Sequence, residues 1–163
     1  MIKLSLSMIR RSIKSDTSYV AAFYHNVWHE THSVFKPKEE IVRRDNKLFQ
    51  ERMTELLATT LLVELKGELA AFSAWKEEYL GQIFVAPSFR GSAVSVSLLK
   101  ATEQAMANDG SVTAELHCVV GNERARRFYE KMGWTRRGVV SEMAAGSVGE
   151  VEVLFWRMTK PLI

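Results

Sequence analysis

The chain alternates between two hydrophobic rhythms, and the switches between them mark its elements. Leu4 to Arg10 carries the two-residue rhythm of a strand. Asp16 can cap a helix, because Tyr19, Val20, Phe23, Tyr24, Val27 and Trp28 then recur at helical spacing. A break at Phe35-Lys36-Pro37 precedes a second helix, whose apolar stripe is Ile41, Val42, Leu48, Phe49, Met53, Leu56 and Leu57. Thr60 to Leu65 and Leu69 to Lys76 read as strands joined by a hairpin at Lys66-Gly67-Glu68, and Tyr79 to Val85 reads as a third.

The helical period returns up to Asn108, with Val94, Leu98, Leu99, Thr102, Ala105 and Met106 toward the core. Asn108-Asp109-Gly110 stops it. From Val112 to Val120 the alternation puts Val112, Ala114, Leu116, Cys118 and Val120 on one face. Thr113, Glu115, His117 and Val119 share the other. A helix from Asn122 to Met132 ends at Gly133, and strands Trp134 to Met143 and Gly149 to Met158 follow around a glycine-rich turn. About seven strands and four helices, with several hairpins, predict one α/β domain of the α+β type over residues 1–163: a mixed, mostly antiparallel sheet with helices on both faces.

Composition narrows the chemistry. With 163 residues, 47% hydrophobic and 25% charged, the chain can bury a core. Cys118 is the only cysteine, so an intramolecular disulfide and a multi-cysteine zinc site are both excluded. The amino terminus is too short and polar for a signal peptide, and no run approaches the roughly 18 apolar residues of a membrane span. A cytoplasmic protein with no membrane partner is the expectation. The net charge of +3 suits a polyanionic ligand and predicts no strong field for nucleic acid. Arg124, Arg126, Arg127, Arg136 and Arg137 read as a solvated face, although Arg124 can approach a phosphate. His25, His29 and His32 have no carboxylate or thiolate at ligand spacing, so no metal is expected.

Two stretches carry chemistry. In Val85-Ala86-Pro87-Ser88-Phe89-Arg90-Gly91-Ser92-Ala93-Val94-Ser95, a strand feeds small residues at a helix start. Such a turn offers consecutive free N–H groups and the positive end of the helix dipole to phosphate oxygens. An ordinary strand-to-helix turn would look much the same. In the second, Asn122 stands where a strand yields to a helix, and Tyr129 lies two helical turns later on the same face. An aromatic pair such as Phe128-Tyr129 is more often core than catalytic.

Together the two stretches resemble the cofactor half of the GNAT N-acetyltransferase superfamily. Val85, Pro87, Arg90, Gly91, Asn122, Ala125, Phe128, Tyr129, Gly133 and Trp134 all match its pattern. Ala93 and Ser95 replace two of its loop glycines, where a side chain can crowd a pyrophosphate or, at Ser95, donate a hydrogen bond. The resemblance implies transfer of the acetyl group of acetyl-coenzyme A to a primary amine on a small molecule, peptide or protein terminus, directly through a tetrahedral intermediate. It implies cofactor contacts at Ile83, Phe84, Val85, Arg90, Gly91, Ser92, Ala93, Val94, Ser95, Val96, Asn122 and Tyr129. Tyr129 is the implied general acid toward the thiolate, and the strand N–H near Val85 the group that polarises the carbonyl. For the base, His117 and Glu78 both stand at positions the family uses, and solvent is the third candidate. Residues 28–37 resemble a loop bordering the acceptor pocket in one branch of the family, which makes Trp28, His32 and Phe35 candidate acceptor contacts; for Trp28 a core position is as good a reading. A coenzyme A-binding module without turnover is the alternative, a homodimer through exposed terminal strands is compatible, and the amine's identity is not implied.

Overall fold

Two antiparallel blocks meet side by side in the computed structural model, which describes residues 8–31, 45–91, 93–146 and 149–162. The strands are β1 (Ile9–Arg11), β2 (Thr60–Leu65), β3 (Glu68–Lys76), β4 (Tyr79–Val85), β5 (Thr113–Val119), β6 (Thr135–Gly146) and β7 (Gly149–Pro161). The helices are α1 (Thr17–Thr31), α2 (Asn46–Glu55), α3 (Ala93–Asn108) and α4 (Glu123–Lys131). The sheet runs β1-β2-β3-β4-β5-β7-β6, and every neighbouring pair is antiparallel except β4 and β5. This is the mixed α/β architecture expected from the sequence.

Local chemistry explains the boundaries. Lys66 and Gly67 both take positive φ, 53° and 76°, so two residues reverse the chain between β2 and β3 with the twist a hairpin prefers. The Asp45 carboxylate accepts the Leu48 N–H at 3.0 Å and starts α2. The α3 helix ends at Asn108 because Gly110, at φ 105°, turns the backbone so that its N–H and that of Ser111 satisfy the carbonyls of Ala107 and Met106.

Helices cover the two sheet faces unequally. On one face α3 packs Val94, Leu98, Leu99, Ala105 and Met106 against Val63, Ala71, Trp75, Ala114, Leu116 and Met158, a core that reaches both blocks. Thr102 is also buried there, its hydroxyl satisfied by Ser73 at 2.7 Å. On the other face, α1 and α2 pack Val20, Tyr24, Val27, Trp28, Phe49 and Met53 against Leu62, Phe72 and Phe84. Those two helices stop short of the β5-β7-β6 half, where Val119, Val153 and Phe155 form a small separate cluster.

Two expectations need correction. Asp16 does not cap α1. It lies in the turn before the helix, and its carboxylate accepts the Ile13 N–H at 2.7 Å and bonds from Arg10 Nη1 and Nη2, each at 2.9 Å. Val112 and Val120 are 62% and 37% exposed and outside the core face, because they flank β5, whereas Val119 on the opposite face is buried against Phe155 and Val153. Of the strand expected from Leu4 to Arg10, Ile9 and Arg10 lie in β1, while residues 4–7, like the expected stripe residues Ile41 and Val42, lie outside the described residues.

The Arg10–Asp16 pair ties the edge strand to the start of α1. Hydrogen bonds from Arg10 and the Ile13 amide hold the Asp16 carboxyl below its ordinary value. A lowered folded-state pKa means the stabilisation is complete above the unfolded value near 4 and fades as pH falls through the lowered one. Asp16→Asn is therefore expected to cost about 2 kcal/mol at pH 7. Urea titrations at pH 7 and pH 3 should show the difference narrowing at the lower pH.

Candidate active site

The two blocks are joined at one end only. β4 and β5 run parallel, yet their register contains the single pair Tyr79↔Glu115, supported by the Glu115 N–H donating to Glu78 O at 2.8 Å. Beyond it the strands part. The Ala86 N–H donates to Ala70 O at 2.8 Å, and ladder alternation then directs the Phe84 amide toward β3. The amides of Ile83 and Val85 consequently face the parting.

A cavity of ≈ 670 Å³ occupies it, within the range of small-molecule sites. Ile83, Phe84, Val85, Arg90, Gly91, Ser95, Val96, His117, Asn122 and Tyr129 line it, together with Val27, Glu30, Cys118, Val119, Arg124, Ala125 and Phe128. Strand β4 and helix α3 supply the first group of predicted residues, and β5 and α4 the second. Because α3 begins at Ala93, its free N–H groups and positive dipole end lie beside Gly91 and Ser95. Gly91 holds φ 73°, a conformation that favours glycine and shapes the turn.

Not every predicted site residue reaches the cavity. Val94 is buried under α3, and Ala93 sits in the first helical turn outside the lining. Trp28 is 4% exposed, packed edge-on to His29 and against Phe49 in the α1–α2 core, as its core reading required. Glu78 is exposed at the β3–β4 turn, outside the lining. Ser92, His32 and Phe35 lie outside the described residues. Of the lining the sequence reading missed, Glu30 follows Val27 by three positions, a same-face spacing on α1 that could have flagged it.

The polar groups divide by task. Arg90 donates Nε to Val85 O at 3.2 Å and Nη1 to Glu30 at 3.1 Å, while its Nη2 is buried with no partner among the described residues. A buried unpaired donor is costly, and an anionic ligand would satisfy it. The Asn122 Oδ1 accepts the Ala125 N–H at 3.3 Å and caps α4, which leaves its Nδ2 to donate. Burial raises the Tyr129 phenol above its ordinary value, with the neighbouring Cys118 thiol adding to the effect. Burial likewise pushes the Cys118 thiol up to about 12, which favours its protonated form.

On the face that α1 and α2 leave uncovered, His117 sits between two carboxylates. Its Nε2 is 3.0 Å from Glu115 and its Nδ1 3.2 Å from Glu142, while Arg157 Nε holds Glu115 at 2.6 Å. The Tyr79 ring meets the imidazole edge-on at 5.0 Å. Among the basic residues noted from the sequence, Arg126 pairs with Glu123 and Glu130, and Arg136 pairs with Glu130. Among the described residues no group of histidine, cysteine and carboxylates could hold a metal ion, and no helix is long and apolar enough to cross a membrane.

A parted parallel pair, a small-residue turn opening α3 and a buried phenol on α4 meet around one cavity. The chain belongs to the acetyltransferase (GNAT) family, whose model matches residues 20–134. Solved structures of similar fold include a GCN5-related N-acetyltransferase from Rhodopseudomonas palustris (18% identity, TM-score 0.74, 99% of each chain). yncA from Salmonella typhimurium, solved with its cofactor acetyl-CoA, is 17% identical (TM-score 0.69, 95% of this chain and 93% of that one). The spermidine N-acetyltransferase SpeG from Vibrio cholerae, solved as a mutant, is also 17% identical (TM-score 0.67, 96% and 95%). No curated protein sequence matches the chain significantly.

Proposed function

We propose that the chain transfers the acetyl group of acetyl-coenzyme A directly to a primary amine. The observation that carries this reading is the β4–β5 parting, because it leaves the Ile83 and Val85 amides without a strand partner among the described residues, beside a buried phenol. The residues present fit the cofactor. The Val85 amide can pair with an amide-bearing pantetheine arm, and the start of α3, Arg90 Nη2 and Arg124 can take the phosphates. The Salmonella neighbour's acetyl-CoA supports the same choice of ligand.

The chemistry follows from the side chains. The Ile83 N–H, the strand donor beside that of Val85, polarises the thioester carbonyl without reorganising. His117 accepts a proton from the incoming amine, whose lone pair then forms the new C–N bond. As the C–S bond breaks, Tyr129 gives its proton to sulfur and regains the second proton that nitrogen sheds. An ammonium and a thioester thus become an amide, a thiol and one released proton. The burial that raises the phenol also disfavours the leaving thiolate, so donor and acceptor stay matched. A protonated Cys118 supports direct transfer over an acyl-cysteine route.

The test is calorimetric titration with acetyl-coenzyme A, followed by thiol release over a panel of amines. Millimolar cofactor is expected to raise Tm, and at 100-fold its Kd the stabilisation is about 2.7 kcal/mol. No heat and no shift would overturn the reading; binding without thiol release on any amine would leave a binding module. Ser95→Gly should change the Kd, since Ser95 lines the cavity, whereas Ala93→Gly should not.

A further inference from the structure

The two carboxylates beside His117 are not equivalent. Glu115 is 29% exposed and already neutralised by Arg157, which makes it a fixed support for Nε2. Glu142, on β6, is 54% exposed, and among the described residues its only cationic or potentially cationic partner is the imidazole. A neutral imidazole carries one N–H. With that hydrogen on Nε2 toward Glu115, the Nδ1 lone pair faces a Glu142 oxygen across 3.2 Å, and the pair lacks a proton between them. The other groups on this face do not supply it: the Tyr79 ring meets the imidazole edge-on and its hydroxyl makes no hydrogen bond among the described residues, and Phe155 is apolar. On the α1 side Glu30 is committed to Arg90.

A primary ammonium fits that deficit, since one N–H can reach Nδ1 while another is accepted by Glu142. We propose that Glu142 is the specificity-determining residue that docks the acceptor as a cation, with Arg157 and Glu115 as positioning residues that hold the imidazole behind it. This deepens the acetyl-transfer reading and rests on it. The acceptor is then an aliphatic amine that arrives as R–NH3+ and yields its first proton to His117 Nδ1, from which it passes to solvent. Weakly basic amines, neutral at the same pH, lack the charge that Glu142 reads.

The experiment compares butylamine, protonated at neutral pH, with O-propylhydroxylamine, its neutral isostere, as acceptors for the whole protein with acetyl-coenzyme A. Wild type is expected to favour butylamine through a lower acceptor KM. Glu142→Gln should lower the ratio of the two kcat/KM values about tenfold, chiefly through the butylamine KM, and Glu142→Asp should restore it. Calorimetry of butylammonium binding to the protein saturated with coenzyme A reads the same contact without turnover. An unchanged ratio in Glu142→Gln, equal KM values in wild type, or no binding of either amine overturns the proposal. Binding of butylammonium that depends on Glu142, with no acetyl transfer to any amine, would instead defeat the acyl-transfer reading and leave the docking assignment standing.

Discussion

Tyr129→Phe is expected to lower kcat about 10²–10⁴-fold while leaving the acetyl-coenzyme A Kd nearly unchanged. The substitution removes one hydroxyl and keeps the ring, which touches Phe128 and Trp134 at centroid distances of 5.5 and 6.1 Å. Packing therefore survives, and the loss falls on protonation of the leaving sulfur. Single-turnover kinetics with a fast acceptor separates this loss from product release. A variant that turns over like wild type would assign Tyr129 to packing alone.

His117→Gln should lower kcat/KM by a comparable factor, about 10²–10⁴. Glutamine can still bond to Glu115 or Glu142, so the pocket keeps its polar contacts and loses only the proton acceptor. Glu78→Gln is the matched control. Its side chain is exposed at the β3–β4 turn and outside the cavity, so its kcat/KM should stay within about twofold of wild type, as surface changes usually do. A collapsed rate in the Glu78 variant with an unaffected His117 variant would reverse the two roles.

Much of this arrangement was legible in the sequence because it is local. The α3 core stripe is buried at every position its period named, since a 3.6-residue repeat bounded by a stop signal has one consistent solution. The β2–β3 hairpin follows from a short turn in which Lys66 and Gly67 both take positive φ. The two motifs placed Arg90, Asn122 and Tyr129 around one cavity because each is anchored at a helix boundary with a recognisable cap or turn.

What the sequence withheld is non-local. Glu142 lies 25 positions from His117 and meets it across the intervening strand β7. Strand order has no signature in alternation, so neither that contact nor Arg157 on Glu115 could be read. Asp16 misled for a related reason. An aspartate before a helix normally serves the helix, and here the Arg10 guanidinium from the neighbouring strand takes it instead.

The parting of β4 and β5 also bears on how the molecule can be improved or damaged. A parallel ladder that stays closed would pair the Ile83 and Val85 amides with β5, and the free protein forgoes those bonds, each of about 1 kcal/mol. The two antiparallel blocks are thus joined like the covers of a partly open book, hinged at Tyr79 and Glu115 and backed by the α3 core. Anything that closes the book strengthens the sheet and erases the cavity. Stability selection on this fold therefore opposes activity at that one seam, and stabilising substitutions compatible with function belong away from it, on the β1 edge or the outer turns.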